Sequence, residues 1–399
     1  MKARLAVITT HPIQYNAPLF RMISERGIIE LKVYYTWGDS SIKSKFDPGF
    51  GKVIEWDIPL LNGYEYEFLE NTATEKGSHH FNGIINPTLI ERVNVWKPTS
   101  ILVFGWNNRS HLSALRYFHK KIPVLFRGDS TLIDEARGFS VRRIFRRVFL
   151  RLIYNYIDYA LYVGKQNYKY YVAHGLKPNQ LVYCPHAIDI DRFANPGEDY
   201  HERAKELANK LGISHDATVF LFAGKLEKKK NPSLLLEAFA ELSLANTHLV
   251  VVGNGHLEVQ LKHVAKDLKK IHFLDFQNQT IMPVIYRLAD VFVLPSQGPG
   301  ETWGLAINEA MACGCAILVS RKCGAWEDVV VEGVNGFSFE SGDKSDLKDK
   351  FTKLINDRSG IDQMKLASKA HVSKFSFVKI ASQIENVVSQ TTNVGGVYG

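Results

Sequence analysis

The chain has little cysteine and no long apolar run, and both shortages narrow the class of protein. Four cysteines among 399 residues, at positions 184, 313, 315 and 323, indicate reduced thiols rather than a disulfide framework. No stretch of about 18 uninterrupted apolar residues occurs, which argues against a membrane span. The first apolar run, residues 5–8, is too short for a signal-peptide core. We therefore expect a cytoplasmic protein.

Low-complexity tracts and metal-site spacings are also missing. Cys313 and Cys315 lie two residues apart, but no second ligand pair follows at the spacing of a zinc site, so we predict no metal. The composition, 45% hydrophobic and 23% charged, is that of an ordinary globular protein. At 399 residues the chain exceeds one comfortable core, and two domains are expected.

The balance of charge points to anionic partners. The formal net charge is +8, which suits nucleotide diphosphates, anionic lipids or nucleic acid. Nucleic acid is disfavoured, because no interleaving of aromatic and basic residues and no known binding motif accompanies the basic runs.

Strand-like apolar runs alternate with amphipathic helical stretches along the chain, which predicts an α/β protein with doubly wound parallel sheets. The first series of runs is 5–9, 31–35, 101–104, 123–126, 160–163 and 181–184. The second series is 219–223, 249–252, 272–274, 291–294 and 316–320. A polar stretch, 195–216, separates the two series and predicts a boundary between two sheets.

Residues 295–314 carry two carboxylates, Glu301 and Glu309, at a predicted strand-to-helix junction. An apolar run ends at Pro295, and a good helix-forming stretch continues to Gly314. The backbone N–H groups and positive dipole of that helix face beyond the carboxyl end of the strand, where open α/β sheets bind ligands. The pattern favours an anionic ligand such as a nucleotide sugar.

This pattern resembles the E-x7-E signature of retaining glycosyltransferases with the GT-B fold, and of glycosyltransferase family 4 in particular. Residues 224–230 are similar to the donor-phosphate motif of that family, with Lys225 in place of the commoner arginine. The segments 252–255, 324–327 and 335–337 match its Gly-x-Gly, Gly-Gly-x-x-Glu and Asn-Gly-Phe regions. Upstream, residues 10–20 and 185–189 resemble a bacterial branch linked to surface polysaccharides.

The resemblance implies two Rossmann-like, doubly wound domains that face a central cleft. It assigns residues 1–200 to an N-terminal acceptor-binding domain and residues 201–375 to a C-terminal nucleotide-sugar-binding domain. Residues 376–399 then form a C-terminal helix that returns to the N-terminal domain, with 377–388 as its expected core.

The resemblance also assigns the donor site. Lys225 and Lys230 stabilise the leaving diphosphate, Glu301 contacts the sugar near the reaction centre, and Glu309 accepts hydrogen bonds from the ribose hydroxyls. The remaining donor contacts are expected from a further set of residues: Gly224, Thr302, Trp303, Gly304, Leu305, Phe276, Gln277 and Asn278. From the residues alone, the lysines also fit a solvated charge run, and either glutamate fits an acid at a helix terminus.

Polar side chains follow three strands of the first series and are candidates for the acceptor or sugar side. They are His11, Gln14, Tyr15, Trp106, Arg127 and Asp129. Family members often have a histidine near the position that Arg127 and Asp129 occupy, so this segment departs from the family pattern.

Residues 140–153 predict an amphipathic helix with five arginines, four of them in two pairs, Arg142 with Arg143 and Arg146 with Arg147. Such a helix suits an anionic membrane surface, or a surface position whose apolar half packs on the sheet. We expect the apolar half to point inward and the arginines to face lipid phosphates, which places the protein peripherally on the inner face of the membrane.

The resemblance implies a retaining, metal-independent glycosyltransferase of the hexosyltransferase type, with no cofactor. Its donor would be a nucleotide diphosphate sugar, with uridine as the expected base, and its acceptor a lipid-linked glycan of bacterial polysaccharide biosynthesis. A catalytically silent scaffold that binds nucleotide sugar or a partner is the alternative. The Gly253 to Gly255 turn is not a dinucleotide fingerprint, because the third glycine is replaced by Glu258.

Overall fold

The computed structural model describes residues 2–39, 45–47, 49–135, 138, 140–195, 199–242 and 246–393. Its strands are β1 Arg4–Thr9, β2 Glu30–Tyr35, β3 Lys45–Asp47, β4 Lys52–Ile54, β5 Glu65–Phe68, β6 Ser100–Phe104, β7 Val124–Arg127, β8 Tyr159–Tyr162, β9 Leu181–Tyr183, β10 Thr218–Ala223, β11 Thr247–Val252, β12 Ile271–Leu274, β13 Val291–Leu294, β14 Ala316–Ser320 and β15 Gly336–Phe339. Its helices are α1 Ala17–Arg26, α2 Leu89–Trp96, α3 Arg109–Phe118, α4 Val141–Tyr154, α5 Lys165–Ala173, α6 Ile190–Ala194, α7 Tyr200–Lys210, α8 Pro232–Ala240, α9 Glu258–Val264, α10 Met282–Arg287, α11 Leu305–Cys313, α12 Trp326–Val329, α13 Lys344–Ile355, α14 Arg358–Val372 and α15 Phe377–Asn393.

Two compact units divide the chain. The first contains the described residues of Met1–Ser44, Pro59–Pro185 and Phe377–Gly399, and the second contains those of Lys45–Ile58 and His186–Ser376. The predicted boundary at residue 200 therefore differs from the division at Pro185, and the short hairpin of β3 and β4 belongs to the second unit. The hairpin joins that unit because its side chains contact the loops after β10 and β12.

The first unit is built on a seven-stranded sheet in the order β5-β2-β1-β6-β7-β8-β9. All of its paired strands are parallel, and apolar side chains cover the sheet on both faces, as the predicted run of buried strands requires. The C-terminal helix α15 packs against α1, and Arg26 of α1 lies 2.8 Å from the buried carboxylate of Glu385.

The second unit contains a six-stranded parallel sheet in the order β12-β11-β10-β13-β14-β15. Every residue of β10, β13 and β14 is buried, so these strands form the centre of the core between helices. The sequence prediction of two parallel, Rossmann-like sheets is confirmed. Among the residues that the structure describes, no helix combines the length and apolar character needed to cross a membrane.

Candidate active site

The strand order of the second sheet brings the predicted donor residues together. The chain winds from β10 outward to β11 and β12, and then returns to the other side of β10 as β13. The loops after β10 and β13 are therefore neighbours at the topological switch point, where doubly wound sheets bind ligands. Two hydrogen bonds join these loops, since Gln297 donates its backbone N–H to Lys229 and its side-chain amide to Lys228.

Lys230 and Glu301 form an ion pair at this point. The Lys230 Nζ lies 2.5 Å from the Glu301 Oε2, and the Glu301 side chain is only 7% exposed. Ser296 donates its hydroxyl to the same carboxylate oxygen at 3.1 Å. Because a buried carboxylate needs such partners, the pair fixes the position of both charged groups. Ser296 was missed by the sequence prediction, although it directly follows β13 within the motif.

A second segment holds the loop that carries Glu301. Gly324 donates its N–H to the Glu301 carbonyl at 2.8 Å, and Ala325 donates its N–H to the Trp303 carbonyl at 3.3 Å. A Cβ on Gly324 would lie 1.8 Å from the Thr302 carbonyl oxygen, so only glycine permits this approach. Residues 324–327, which resemble a family motif, thus hold the Glu301 loop through two backbone hydrogen bonds.

Helix α11 begins directly after this loop, at Leu305. Gly304 precedes it with a φ of 94°, a conformation that favours glycine, and a Cβ there would lie 2.7 Å from Leu294. Within the described part of the chain, no side chain caps this helix start. The start of α11 therefore offers backbone N–H groups of the kind that bind anions, and the contact of residues 302–305 with a diphosphate stays a prediction.

Glu309 lies in the second turn of α11 and is buried. Its carboxylate accepts a hydrogen bond from the Tyr286 hydroxyl of α10 at 2.8 Å. Sequence analysis did not identify Tyr286, since nothing in the motif indicates which helix packs on this face. The ribose contact of Glu309 stays a prediction, and the structure adds an internal partner for the same carboxylate.

Glycine allows the loops after β10 and β11 to touch. A Cβ on Gly253 would lie 2.1 Å from the Gly224 carbonyl oxygen, and one on Gly255 would lie 2.5 Å from that of Leu226. Between these glycines, the buried Asn254 donates to Asp275 and accepts the N–H of Phe276. This asparagine fixes the start of the predicted base-binding segment, a role that the sequence did not reveal.

Lys225 lies beside the hairpin rather than beside Glu301. Its Nζ contacts the two carboxylate oxygens of Asp47 at 2.9 and 3.0 Å. Phe276 packs edge-on against Phe50 of the same hairpin, and Asn278 donates to the Glu55 carbonyl at 2.6 Å. The hairpin thus contacts two of the predicted donor residues, and Glu55 directly after it contacts a third. No pattern in the sequence indicated these contacts.

In the first unit, the corresponding switch point lies between β1 and β6. His11 follows β1, where its Nδ1 lies 2.9 Å from the Thr10 hydroxyl and its ring packs edge-on against Trp37. Gln14 and Tyr15 lie in the turn before α1 and are partly exposed. Trp106 follows β6, so the structure brings these candidates to one edge of the sheet.

Arg127 is the last residue of β7 and Asp129 follows the strand, and the contacts of Arg127 are internal. Its buried guanidinium donates to the Cys184 carbonyl at 2.8 Å and to the Pro185 carbonyl at 3.1 Å. Burial lowers the pKa of Arg127 from its ordinary value. These bonds join β7 to the residues that directly follow β9, while Asp129 is partly exposed. Their role toward an acceptor stays a prediction.

Helix α4 departs from expectation. Its apolar side chains were predicted to pack inward, yet most of them are exposed, with Phe145 at 72%. The others in this exposed set are Val141, Ile144, Val148, Phe149 and Leu152. Within the helix, burial is confined to Leu150, Ile153 and Tyr154 in its C-terminal half. The N-terminal half contacts the unit through arginines, since Arg146 lies 3.5 Å from the Tyr170 hydroxyl and Arg147 lies 3.5 Å from Glu135. The arginines flank this apolar surface, so both the cations and the apolar residues face outward.

The match to a known protein family falls within the second unit. Residues 203–371 match the family described as "Glycosyl transferases group 1". The chain is 29% identical over 225 residues to a D-inositol 3-phosphate glycosyltransferase of Geodermatophilus obscurus, covering 53% of this chain and 47% of that protein. It is 31% identical over 241 residues to the lipopolysaccharide 1,2-N-acetylglucosaminetransferase of Salmonella typhimurium, covering 57% and 61%. The chain thus spans about half the length of the first curated relatives it matches.

Solved structures share the whole fold. The Anabaena protein Alr3699/HepE, solved in complex with UDP and glucose, matches with a TM-score of 0.70 over 97% of this chain and 100% of that one. Its sequence identity is 17%, so the match shows the fold alone. The predicted GT-B fold class is confirmed.

Proposed function

We propose that the chain is a retaining glycosyltransferase that moves a hexose from a nucleotide diphosphate sugar, with UDP as the expected nucleotide, to a lipid-linked glycan acceptor. The observation that carries this proposal is the Lys230 and Glu301 pair at the switch point of the second sheet. The lipopolysaccharide enzyme of Salmonella typhimurium and the Anabaena structure with UDP and glucose support the donor and the acceptor class.

The site residues would act on charge and position. Cleavage of the bond between the sugar and the diphosphate leaves negative charge on the phosphate oxygens. Lys230, the N-terminus of α11 and, once free of Asp47, Lys225 stabilise that charge. Glu301 accepts hydrogen bonds from sugar hydroxyls and holds the anomeric carbon toward the acceptor.

Retention of configuration is proposed from the E-x7-E resemblance. The acceptor oxygen would form its new bond to the anomeric carbon on the face that the diphosphate leaves. Its proton would pass to a diphosphate oxygen as the old carbon–oxygen bond breaks. The protein's residues then position the reactants and stabilise charge without forming a covalent bond to the sugar.

A thermal-shift and hydrolysis screen against UDP-, GDP- and ADP-sugars tests the donor. We expect one donor to raise the unfolding midpoint, equally with and without EDTA, because cationic side chains and backbone N–H groups hold the diphosphate. Glu309→Gln should abolish this shift if the carboxylate binds the ribose. Tyr286→Phe is the matched control, since it removes the internal partner of Glu309 and leaves the carboxylate.

The outcomes of this screen separate the proposal from its alternative. A donor-dependent shift that both variants retain would limit Glu309 to packing against α10. A donor shift without transfer or hydrolysis would favour the silent nucleotide-sugar scaffold. No response to any donor would contradict the proposed function.

We also propose that α4 binds an anionic membrane, which would bring the site to a lipid-linked acceptor. The helix presents exposed aromatic and aliphatic side chains beside four arginines. Apolar side chains enter the boundary between headgroups and acyl chains, and each cation near the surface contributes about 1 kcal/mol. The charge of the arginines favours anionic lipid over a second copy of this cationic chain.

Vesicle sedimentation at low salt tests this surface. Changing Arg142, Arg143, Arg146 and Arg147 to glutamine should weaken binding to phosphatidylglycerol-containing vesicles at least about tenfold, because four surface cations are lost. The matched control changes four lysines of α13, Lys344, Lys348, Lys350 and Lys353, and should bind as the unmodified protein does. Equal vesicle binding by the arginine variant and the lysine control would contradict the membrane role. If the arginine variant differs from the unmodified protein only in its sedimentation velocity without vesicles, the helix mediates self-association instead.

A further inference from the structure

The hairpin of β3 and β4, with the chain that follows to Asp57, contacts the predicted donor loops. Its charged contacts come from Asp47 and Lys52, which are paired where the two strands meet the turn. We call residues 47 and 49–57 the covering segment. Its first residue, Asp47, accepts hydrogen bonds from Lys225 with both carboxylate oxygens, at 2.9 and 3.0 Å. The same carboxylate accepts the backbone N–H groups of Gly49 and Phe50, so the turn itself orients it. Burial raises the pKa of Asp47, but the Lys225 hydrogen bond and charge outweigh it, and the net shift is downward.

An aromatic contact lies beside this ion pair. The rings of Phe50 and Phe276 have centroids 4.8 Å apart at an interplanar angle of 64°. The Lys225 Nζ lies 5.0 Å from the centroid of the Phe50 ring. A single turn therefore offers one carboxylate to the cation and one aromatic ring to the segment predicted to hold the base.

The rest of the covering segment is fastened to the loop after β12. Lys52 lies 3.2 Å from a carboxylate oxygen of Asp275, and Asn278 donates to the Glu55 carbonyl at 2.6 Å. Further along, Thr280 donates its N–H to Asp57 at 3.1 Å. These contacts fall on the residues around Phe276 to Asn278, and the Lys230 and Glu301 pair has its own separate partners.

We propose that the covering segment is a displaceable cover that imitates a nucleoside diphosphate, with Asp47 in the place of a phosphate and Phe50 in the place of the base. This inference rests on the proposed function, because it assumes that Lys225 and Phe276 bind the donor. An anionic donor needs the same ammonium that Asp47 occupies with two oxygens. Donor binding and the covered state therefore exclude each other.

The contacts are weak enough to be exchanged. Asp47 and Lys225 are each 32% exposed, and ion pairs near solvent contribute little to stability. A ligand that binds only the uncovered state has an apparent affinity reduced by the fraction of protein in that state. Loosening the cover should thus tighten donor binding even though it removes contacts from the protein.

Isothermal titration with UDP, ADP and GDP tests the cover. Asp47→Asn should lower the Kd of the nucleotide that binds by about two- to fivefold, as expected for loss of one exposed ion pair. Combining it with Phe50→Ala should lower the Kd by about tenfold, since the aromatic contact is lost as well. In a Lys225→Ala background, Asp47→Asn should change the Kd much less, because the two residues act through one contact.

The matched control is Glu55→Gln. Glu55 has an exposed side chain on the same segment and contacts Asn278 only through its backbone carbonyl, which the substitution leaves in place. The Glu55→Gln protein should therefore bind the nucleotide with the affinity of the unmodified protein. Hydrogen exchange supplies a second readout, in which the amides of residues 49–57 should exchange faster when UDP saturates the protein. Circular dichroism of each variant checks that the fold is retained.

The results separate this inference from the proposed function. If the unmodified protein binds a nucleotide and Asp47→Asn binds it equally or more weakly, the cover is overturned and the donor site stands. Slower exchange of residues 49–57 on binding would also overturn it, by making the segment a donor contact. If neither the unmodified protein nor the double variant binds any nucleotide, both proposals fail.

Discussion

Replacing Lys230 by alanine is expected to lower the rate of sugar transfer by about 100- to 1000-fold, the usual effect of removing one preorganised group that stabilises developing charge. The Lys230 ammonium is held by Glu301 at 2.5 Å on a short turn after β10. It therefore needs no rearrangement when charge develops on the leaving diphosphate. Because this interaction strengthens in the transition state, kcat should fall more than KM rises.

Steady-state transfer kinetics, with the donor found by the thermal-shift screen, measure this effect. The matched control is Lys229→Ala, which removes the neighbouring lysine of the same turn. Lys229 lies 3.7 Å from Glu227 and is 36% exposed, so its loss should leave the rate nearly unchanged. Equal rates for the two variants would return the lysines to the alternative of a solvated charge run.

A further variant separates catalysis from folding. Lys230→Ala leaves the Glu301 carboxylate, 7% exposed, without its cation, and breaking a buried pair in this way is destabilising. Lys230→Ala combined with Glu301→Gln removes both charges and should recover most of the unfolding midpoint. The double variant should stay inactive. Recovery of activity along with stability would limit the pair to a structural role.

The fold was predictable from the sequence because its strands are buried on both faces. Runs such as 219–223 and 291–294 are continuously apolar, so they predicted buried strands in parallel sheets. The edge strands β5 and β15 were not predicted, and the sheets therefore have seven and six strands where the sequence indicated six and five. The boundary at residue 185 and the transfer of the hairpin to the second unit did not follow. These depend on contacts such as Asp47 to Lys225, which join residues 178 positions apart.

The site was predictable where local geometry fixes it and not where tertiary packing does. The motifs placed Lys230 and Glu301 in loops that follow two strands, and the sheet order brings these loops together, while the role of both residues toward a donor stays a prediction. Tyr286, Asn254 and Phe50 were not identified, because their partners come from distant loops and helices. The exposed face of α4 was also predicted wrongly, because an amphipathic period shows that one face is apolar without showing what covers it.

The largest effect on stability is expected at Asp290, which directly precedes β13, at the opposite end of that strand from the loop that carries Glu301. Its side chain is 9% exposed and lies 2.9 Å from both Arg358 and Lys365 of α14. It also accepts the N–H of Val219, the second residue of β10, at 3.0 Å. One carboxylate thus joins the central strands of the sheet to the helix that covers them.

Asp290→Ala should lower the free energy of unfolding by about 2–4 kcal/mol, which combines a buried N–H left without its acceptor and the loss of two ion pairs. The cations remain partly exposed, which limits the cost. Glu241→Gln is the matched control, because Glu241 also pairs with two lysines, at 2.5 and 2.9 Å, but is exposed. The free energy of unfolding of Glu241→Gln should change little. Equal losses of unfolding free energy in the two variants would contradict the dependence on burial.

Acid should remove the stabilisation that the ionised Asp290 carboxylate gives to the folded protein. Burial raises the pKa of this carboxyl, but the charges and hydrogen bonds of Lys365 and Arg358 outweigh it, so the folded-state pKa lies below the ordinary value of 3.8. The unfolded chain then takes up the proton first as the pH falls, and the stabilisation is complete above the unfolded pKa and is lost below it. The free energies of unfolding of the unmodified protein and of Asp290→Asn should therefore differ by a constant amount near neutral pH. That difference should shrink below about pH 4, and a difference that grows with acid would reverse the assigned direction of the pKa shift.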